Sequence, residues 1–175
     1  MLFLNLLKKT GLFIIDFIEY RVASVFLLLL FFALFVQVIM RYVFNNPSPE
    51  LFEISRYSFI WIIFLGAPLA RRFGAHMKFN VIYDMVSRKL QIVFDLFFNA
   101  CFTIMLFITF FPTWDDIGFY KMIKSNVLHI PWSYLLLCFP LFIILMIIHN
   151  LIWIYKDTRE LVTGKKSAKE EEPWD

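Results

Sequence analysis

Charge is scarce along most of this sequence. Only 18% of its 175 residues are charged, whereas 61% are hydrophobic and 23 are phenylalanine. A soluble globular domain is closer to half apolar, and its surface helices keep a polar face toward water. The long apolar runs in this chain show no such face, which favours a membrane protein over a soluble helical bundle. At this length we expect one membrane domain and no sizeable catalytic domain outside the membrane.

Cysteine and the motifs of catalysis are also nearly absent. The two cysteines, Cys101 and Cys138, lie inside apolar runs without CxxC spacing, which favours packing over redox chemistry. The sequence carries no nucleophile–base motif, phosphate-binding loop or metal signature. We therefore expect no enzyme, no cofactor bound by this chain and no nucleic-acid partner.

Four apolar runs are long enough to cross a bilayer, since about 20 mostly apolar residues span a hydrocarbon core roughly 30 Å thick. They predict an all-α integral membrane protein with four transmembrane helices over about 22–43, 49–72, 90–111 and 132–155. Residues 1–160 are expected to form a single four-helix membrane domain. Residues 161–175 are expected to form a charged, disordered tail.

The distribution of lysine and arginine predicts an orientation, because both prefer cytoplasmic loops. With the N-terminus inside, all but four of the 17 fall on the cytoplasmic side, the exceptions being Arg41, Arg56, Lys121 and Lys124. We expect both termini in the cytoplasm. Before the first span, Asn5, Lys9, Asp16 and Glu19 share one helical face, which predicts an amphipathic helix lying on the inner leaflet.

A polar stretch separates the first two runs. Ser48 suits a helix N-cap and Pro49 the first helical position. With a rise of about 1.5 Å per residue, the side chains of the two helices match in depth as two pairs. The pairs are Arg41 with Glu53 and Gln37 with Arg56, and we call this predicted arrangement the hairpin clamp. The alternative is that each side chain reaches water independently.

The third run carries a polar stripe with a spacing of four residues, made of Gln91, Asp95, Asn99 and Thr103. Such a stripe is costly against lipid and is expected to face protein, on its own chain or another. Asp95 leaves a second interpretation open, in which the chain is a small exporter that carries a proton or cation. His76 and His149 leave a third, a haem- or quinone-linked membrane anchor of an oxidoreductase.

Two segments resemble the small membrane subunit of tripartite ATP-independent periplasmic (TRAP) transporters, the DctQ-like family. The first is RYVFNNPSPELFEISRYSFIWIIFLGAPLARRFGAH, residues 41–76, and the second is SNVLHIPWSYLLLCFP, residues 125–140. In the first, the Arg-Tyr at 41–42, the Asn/Pro loop, Trp61 and the Leu-Gly-Ala at 65–67 follow the family pattern. The chain departs from it at Phe79-Asn80, where the family often has Val-Asp.

The resemblance implies a scaffold subunit in the bacterial inner membrane. Its expected partners are membrane lipids, a periplasmic substrate-binding protein and a large multi-span subunit that imports organic acids, such as C4-dicarboxylates or sialic acids. The sodium ions that drive transport are expected on the large subunit.

Three groups of residues receive expected roles on this basis. Contact with the large subunit is expected from Gln91, Asp95, Asn99, Thr103 and Trp61. Docking of the binding protein is expected from Glu50, Asp115, Asp116, Lys121 and Lys124. Contact with lipid headgroups is expected from Arg71, Arg72 and Lys78.

Overall fold

The computed structural model describes residues 13, 15–73 and 87–163. These residues form four helices that are long and apolar enough to cross a membrane: α1 Phe17–Tyr42, α2 Pro49–Arg72, α3 Arg88–Tyr120 and α4 Trp132–Thr163. The prediction of an all-α fold with four spanning helices is confirmed, and the chain is a multi-pass membrane protein. The predicted limits 49–72 match α2, whereas α1, α3 and α4 are each longer than expected.

Helix α1 begins with six residues in π-helical geometry, Phe17–Val22, and continues without a break as an α-helix over Ala23–Tyr42. The amphipathic helix predicted for the N-terminal segment falls largely outside the described residues. Its last part, however, runs straight into the first span. Glu19 from that part is fully buried against protein, so it does not contribute to a polar face toward the leaflet.

The start of α2 follows the capping rules on which its prediction rested. Ser48 is extended, and its hydroxyl accepts a hydrogen bond from the N–H of Leu51 at 3.4 Å. Pro49 occupies the first turn, where no hydrogen-bonded N–H is required. The preceding loop turns at Asn45, which has a left-handed φ of 50°. Asparagine tolerates this conformation better than most residues.

Helix α3 is 33 residues long and continues through Pro112 to Tyr120. Its length of about 50 Å exceeds the hydrocarbon thickness of roughly 30 Å. The predicted end of this span near residue 111 is therefore wrong, because 112–120 is also helical. The remaining loop is closed by an isolated bridge between Lys124 and Pro131.

Helix α4 starts with the short segment Trp132–Leu136 and continues as Cys138–Thr163. The disordered tail predicted from residue 161 is wrong for 161–163, which are helical, and the rest of that tail lies outside the described residues.

The helices pack in the spatial order α1, α2, α4, α3. A small apolar core forms between α3 and α4, where Leu106, Ile143 and Met146 are buried together. Helix α1 has little cover in this chain, since Ala33 is the one buried residue of Ala23–Tyr42. The central helices α2 and α4 carry most of the buried polar side chains.

Candidate functional site

Buried and half-buried polar side chains join all four helices near one end of the bundle. We call this cluster the polar junction and define it as Glu19, Arg71, Asn99, His149 and Asn150. It lies where α1 begins, where α2 ends, in the first half of α3 and in the second half of α4. An ionisable group in this position is costly unless other protein groups satisfy it.

Arg71 is the centre of the polar junction and is only 5% exposed. Its Nε donates to Asn150 Oδ1 at 2.7 Å, and its Nη2 donates to Asn99 Oδ1 at 2.5 Å. Asp95 and Asp157 lie near enough to interact electrostatically with its charge. One guanidinium therefore holds α2, α3 and α4 together, because its planar fork presents donors in several directions.

Trp153 covers the same arginine from α4. The indole Nε1 donates to the Arg71 carbonyl oxygen at 3.1 Å, and the guanidinium carbon lies 5.7 Å from the centre of the indole ring. This pairing combines a hydrogen bond with a cation–π contact. It also satisfies a carbonyl group at the end of α2.

The prediction that Arg71 contacts lipid headgroups is therefore wrong. The sequence places Arg71 at the end of an apolar run, which suggests exposure. In the structure, the guanidinium is instead bonded to side-chain amide oxygens of two other helices. Arg72 is partly exposed and bonds to Asp16, so its contact with lipid stays a prediction, and Lys78 lies outside the described residues.

Glu19 and His149 add a second link, between α1 and α4. His149 Nε2 lies 2.5 Å from Glu19 Oε1, and both side chains are buried. Arg72 Nη1 lies 3.8 Å from the other carboxylate oxygen of Glu19. The haem-anchor interpretation requires His149 and His76 as a pair of ligands. His76 lies outside the described residues, and the Nε2 of His149 is occupied by a carboxylate in this structure.

Arg88 links the start of α3 to the end of α4. Its Nε and Nη2 each lie 2.9 Å from Glu160 Oε1, and Glu160 is buried. Sequence reasoning missed Glu19, Asn150, Asp157 and Glu160 as structural residues. A signal was present in α4, since positions 149, 150, 153, 157 and 160 recur at the three- and four-residue spacing of one helical face.

A second group of contacts surrounds Glu53 at the other end of the bundle. We call it the loop end and define it as the end formed by residues 43–48 and 121–131. Glu53 is buried, and its Oε1 accepts from the Tyr57 hydroxyl at 2.5 Å. Its Oε2 accepts from the N–H of Leu128 at 2.8 Å. This carboxylate thus fastens the loop before α4 to helix α2.

The hairpin clamp is wrong in its pairing. Among the described residues, Glu53 forms no ion pair with Arg41, whose guanidinium lies 5.5 Å from the ring centre of Tyr42. Arg56 lies 3.8 Å from Glu53 on the same helix, and its side chain is 52% exposed. Matching depth was not sufficient, because the rotation of α2 turns Glu53 toward the loop before α4.

Gln37 also fails to meet Arg56 directly. Its Oε1 is buried and has no hydrogen-bond partner within the described part of the chain. Gln37, Arg56 and Asn126 instead line an open cavity of about 390 Å³ at the loop end, together with Ser48 and Phe52. The two polar groups predicted to be in contact both line this cavity.

The polar stripe of α3 is partly used within this chain. Asn99 bonds to Arg71, Thr103 donates to the carbonyl of Asn99, and Gln91 accepts from Arg88 at 3.3 Å. Trp61 stacks on Phe26 of α1, with ring centres 5.0 Å apart. Contact of these side chains with the large subunit stays a prediction. The side-chain oxygen of Asn99 and the ring of Trp61 already have partners in this chain.

The residues assigned to docking are all exposed at the loop end. They comprise Glu50, which accepts a hydrogen bond from Ser48 at 2.6 Å, and Asp115, Asp116, Lys121 and Lys124. The structure brings the last four together as the end of α3 and the following turn. Their exposure permits a docking role without testing it.

Comparison with known proteins identifies the family to which the chain belongs. A model described as "Tripartite ATP-independent periplasmic transporters, DctQ component" matches residues 30–160. A Haemophilus influenzae protein, whose name assigns it to the TRAP transporter small permeases, is 35% identical over 71 residues. That match covers 38% of this chain and 44% of the relative, so it spans less than half of the relative's length. The family model covers most of the chain and includes the polar junction from Arg71 to Asn150, so the chain belongs to the DctQ component family of TRAP transporters.

Proposed function

We propose that this chain is the small scaffold subunit of a sodium-coupled importer of organic acids in the bacterial inner membrane. It stabilises a large multi-span subunit and helps to dock a periplasmic substrate-binding protein. Sodium and substrate bind to the large subunit, and both termini of this chain face the cytoplasm. C4-dicarboxylates and sialic acids are the substrate classes that the family resemblance suggests.

The observation that supports this function most directly is the use of polar groups inside the spans. The side chains of the polar junction bond across helices. Arg71 bonds to Asn99 and Asn150, and His149 bonds to Glu19. They thereby hold the helices in fixed positions, which is what a scaffold requires. A transport path instead needs polar groups that stay free to bind and release a passing ion or solute.

Large apolar surfaces support an association with another membrane protein. Helix α1 exposes Leu28, Phe31, Phe32 and Phe35, and helix α3 exposes a comparable set of phenylalanine and isoleucine side chains. Lipid tails cover such surfaces, but so do the helices of a partner. The long α3 and the charged loop end supply a surface beyond the bilayer for a water-soluble protein.

Co-purification tests the proposal. The tagged chain is isolated in mild detergent from cells that also express the large subunit of the same transporter. We expect the two to elute together at a fixed stoichiometry. Monomeric elution of this chain, with the large subunit absent in repeated native extractions, would reject the scaffold role.

A further inference from the structure

Helix α2 keeps one exposed face although it is a central helix of the bundle. The face consists of side chains at a spacing of three or four residues: Phe52, Arg56, Phe59, Ile63, Ala67 and Ala70. Phe59 and Ile63, in its middle, are 55% and 49% exposed. We call this strip the open face of α2.

Arg56 is unusual on such a face. It lies about 10 Å along the helix from Pro49, by the rise of roughly 1.5 Å per residue. Its contacts within the described residues are with its own helix, at 3.8 Å from Glu53 and over the ring of Tyr57. Glu53 is already bonded to Tyr57 and Leu128. The half-exposed guanidinium thus has donors available for an acceptor outside this chain.

The cavity beside Arg56 gives a partner side chain room to reach the guanidinium. It is lined by Arg56 and by Gln37, whose buried Oε1 has no hydrogen-bond donor in the part of the chain that the structure describes. Because that oxygen is buried, a partner side chain that enters the cavity can accept from Arg56 but does not reach Gln37 Oε1. Amide, hydroxyl and carboxylate side chains all provide such an acceptor.

The other half of the open face is shaped for close approach. A Cβ atom added at Gly66 would meet no atom within 4 Å, and the neighbouring Ala67 and Ala70 are exposed. Small residues on a membrane helix let a second helix approach closely, which improves packing where lipid offers no hydrophobic driving force.

We propose that the open face of α2 binds a transmembrane helix of the large subunit. That helix carries a hydrogen-bond acceptor side chain at the depth of Arg56 and larger apolar side chains opposite Gly66, Ala67 and Ala70. The proposal rests on the proposed function, and it specifies which surface of this chain makes the contact.

A second copy of this chain fits the same face poorly. Two copies with the same membrane orientation are related by an axis along the membrane normal, so equal residues meet at equal depth. Arg56 of one copy would then lie beside Arg56 of the other, and like charges in a poorly hydrated layer repel. The helix that pairs with this face must supply an acceptor, and so we assign it to the large subunit.

The first test compares two arginines of similar local geometry. Arg41 and Arg56 are both exposed, and each guanidinium lies 5.5 Å from the ring centre of the next tyrosine. Arg41 belongs to the last turn of α1, near the loop, and serves as the control. We expect Arg56→Gln to lower recovery of the large subunit with the tagged chain several-fold and Arg41→Gln to leave it unchanged. Equal recovery with both variants would contradict the proposal.

The second test reads the contact directly and does not depend on stability. The photoreactive residue benzoylphenylalanine replaces Ile63 in the complete transporter, expressed in native membranes. A covalent adduct with the large subunit supports the proposal. An adduct with a second copy of this chain, or with lipid alone, overturns it. If the wild-type chain does not assemble with the large subunit, the proposed function fails as well. If assembly occurs without the Ile63 adduct, only this inference fails.

Discussion

At the scale of single residues, whether a charged side chain is buried or exposed depends on the hydrogen-bonding groups that neighbouring helices place beside it. Arg71 is buried because Asn99 and Asn150 accept from it and Trp153 covers it. Arg56 is half exposed, and its carboxylate neighbour is shared with two other donors. The two arginines therefore have different roles. Arg71 joins helices within the chain, whereas Arg56 lies at the surface.

Removing the guanidinium at the polar junction is the strongest stability test at this scale. Arg71→Met should lower the free energy of unfolding by about 3–5 kcal/mol, because it removes the partner of buried polar groups. Arg21→Met changes an exposed arginine in the same way and should alter stability by less than about 0.5 kcal/mol. Thermal unfolding of the purified chain in detergent measures both. Equal unfolding temperatures for the two variants would show that Arg71 is not structural.

Glu53 and Glu50 form a second matched pair. Glu53→Gln leaves one acceptor oxygen for two donors, the Tyr57 hydroxyl and the Leu128 N–H, and should cost about 1–3 kcal/mol. Glu50 is exposed, so Glu50→Gln should change stability little. Hydrogen exchange at the Leu128 amide should accelerate in the first variant and stay unchanged in the second. Unchanged exchange in both would mean that Glu53 does not hold the loop.

The contacts of Glu53 also predict the outcome of a double-mutant cycle with Arg41. A paired Arg41 and Glu53 would give coupled losses of stability. Because the structure does not pair them, Arg41→Ala and Glu53→Ala should add to within about 0.3–0.5 kcal/mol. A coupling of 1 kcal/mol or more would restore the hairpin clamp.

At the scale of helices, the sequence predicts where the elements lie better than what they contact. The length of the apolar runs fixes the four spans, and Ser48-Pro49 locates the start of α2 to the residue. Helix α3 is longer than predicted because the helix continues through Pro112 into the polar segment beyond it. Run length alone cannot locate a helix end that lies outside the hydrocarbon.

The partners of the polar groups could not be predicted, because they depend on rotation and on contacts between distant segments. Depth follows from counting residues along a helix. The direction in which Glu53 points depends on how α2 packs against both α1 and the loop before α4. The Arg71–Asn150 contact joins residues 79 positions apart. Without the packing order of the helices, the sequence offers many partners for each such group.

The charged end of α3 carries a prediction about docking. Asp115, Asp116, Lys121 and Lys124 are exposed at the loop end. Reversing all four charges should weaken binding of the periplasmic protein to the assembled transporter. The loss should be larger at low salt, because exposed charges are screened over about 10 Å at 0.1 M ionic strength. Binding affinity measured at two salt concentrations checks this. Unchanged affinity at both would remove these residues from the docking surface.

At the scale of the whole molecule, the described part of the chain consists of four long helices joined by polar contacts near both ends. The polar junction ties the four helices together, and Glu53 ties α2 to the loop before α4. Between these ends lie wide apolar surfaces on α1 and α3 and the open face of α2. This combination suits a subunit that stays rigid while a partner moves beside it.

Reconstituted uptake tests the central claim most directly. Proteoliposomes contain this chain alone, the large subunit alone, or both, and each receives the periplasmic binding protein, labelled substrate and an inward sodium gradient. We predict sodium-dependent uptake with both subunits, little with the large subunit alone, and none with this chain alone. Uptake by this chain alone, or full uptake by the large subunit without it, would contradict the account.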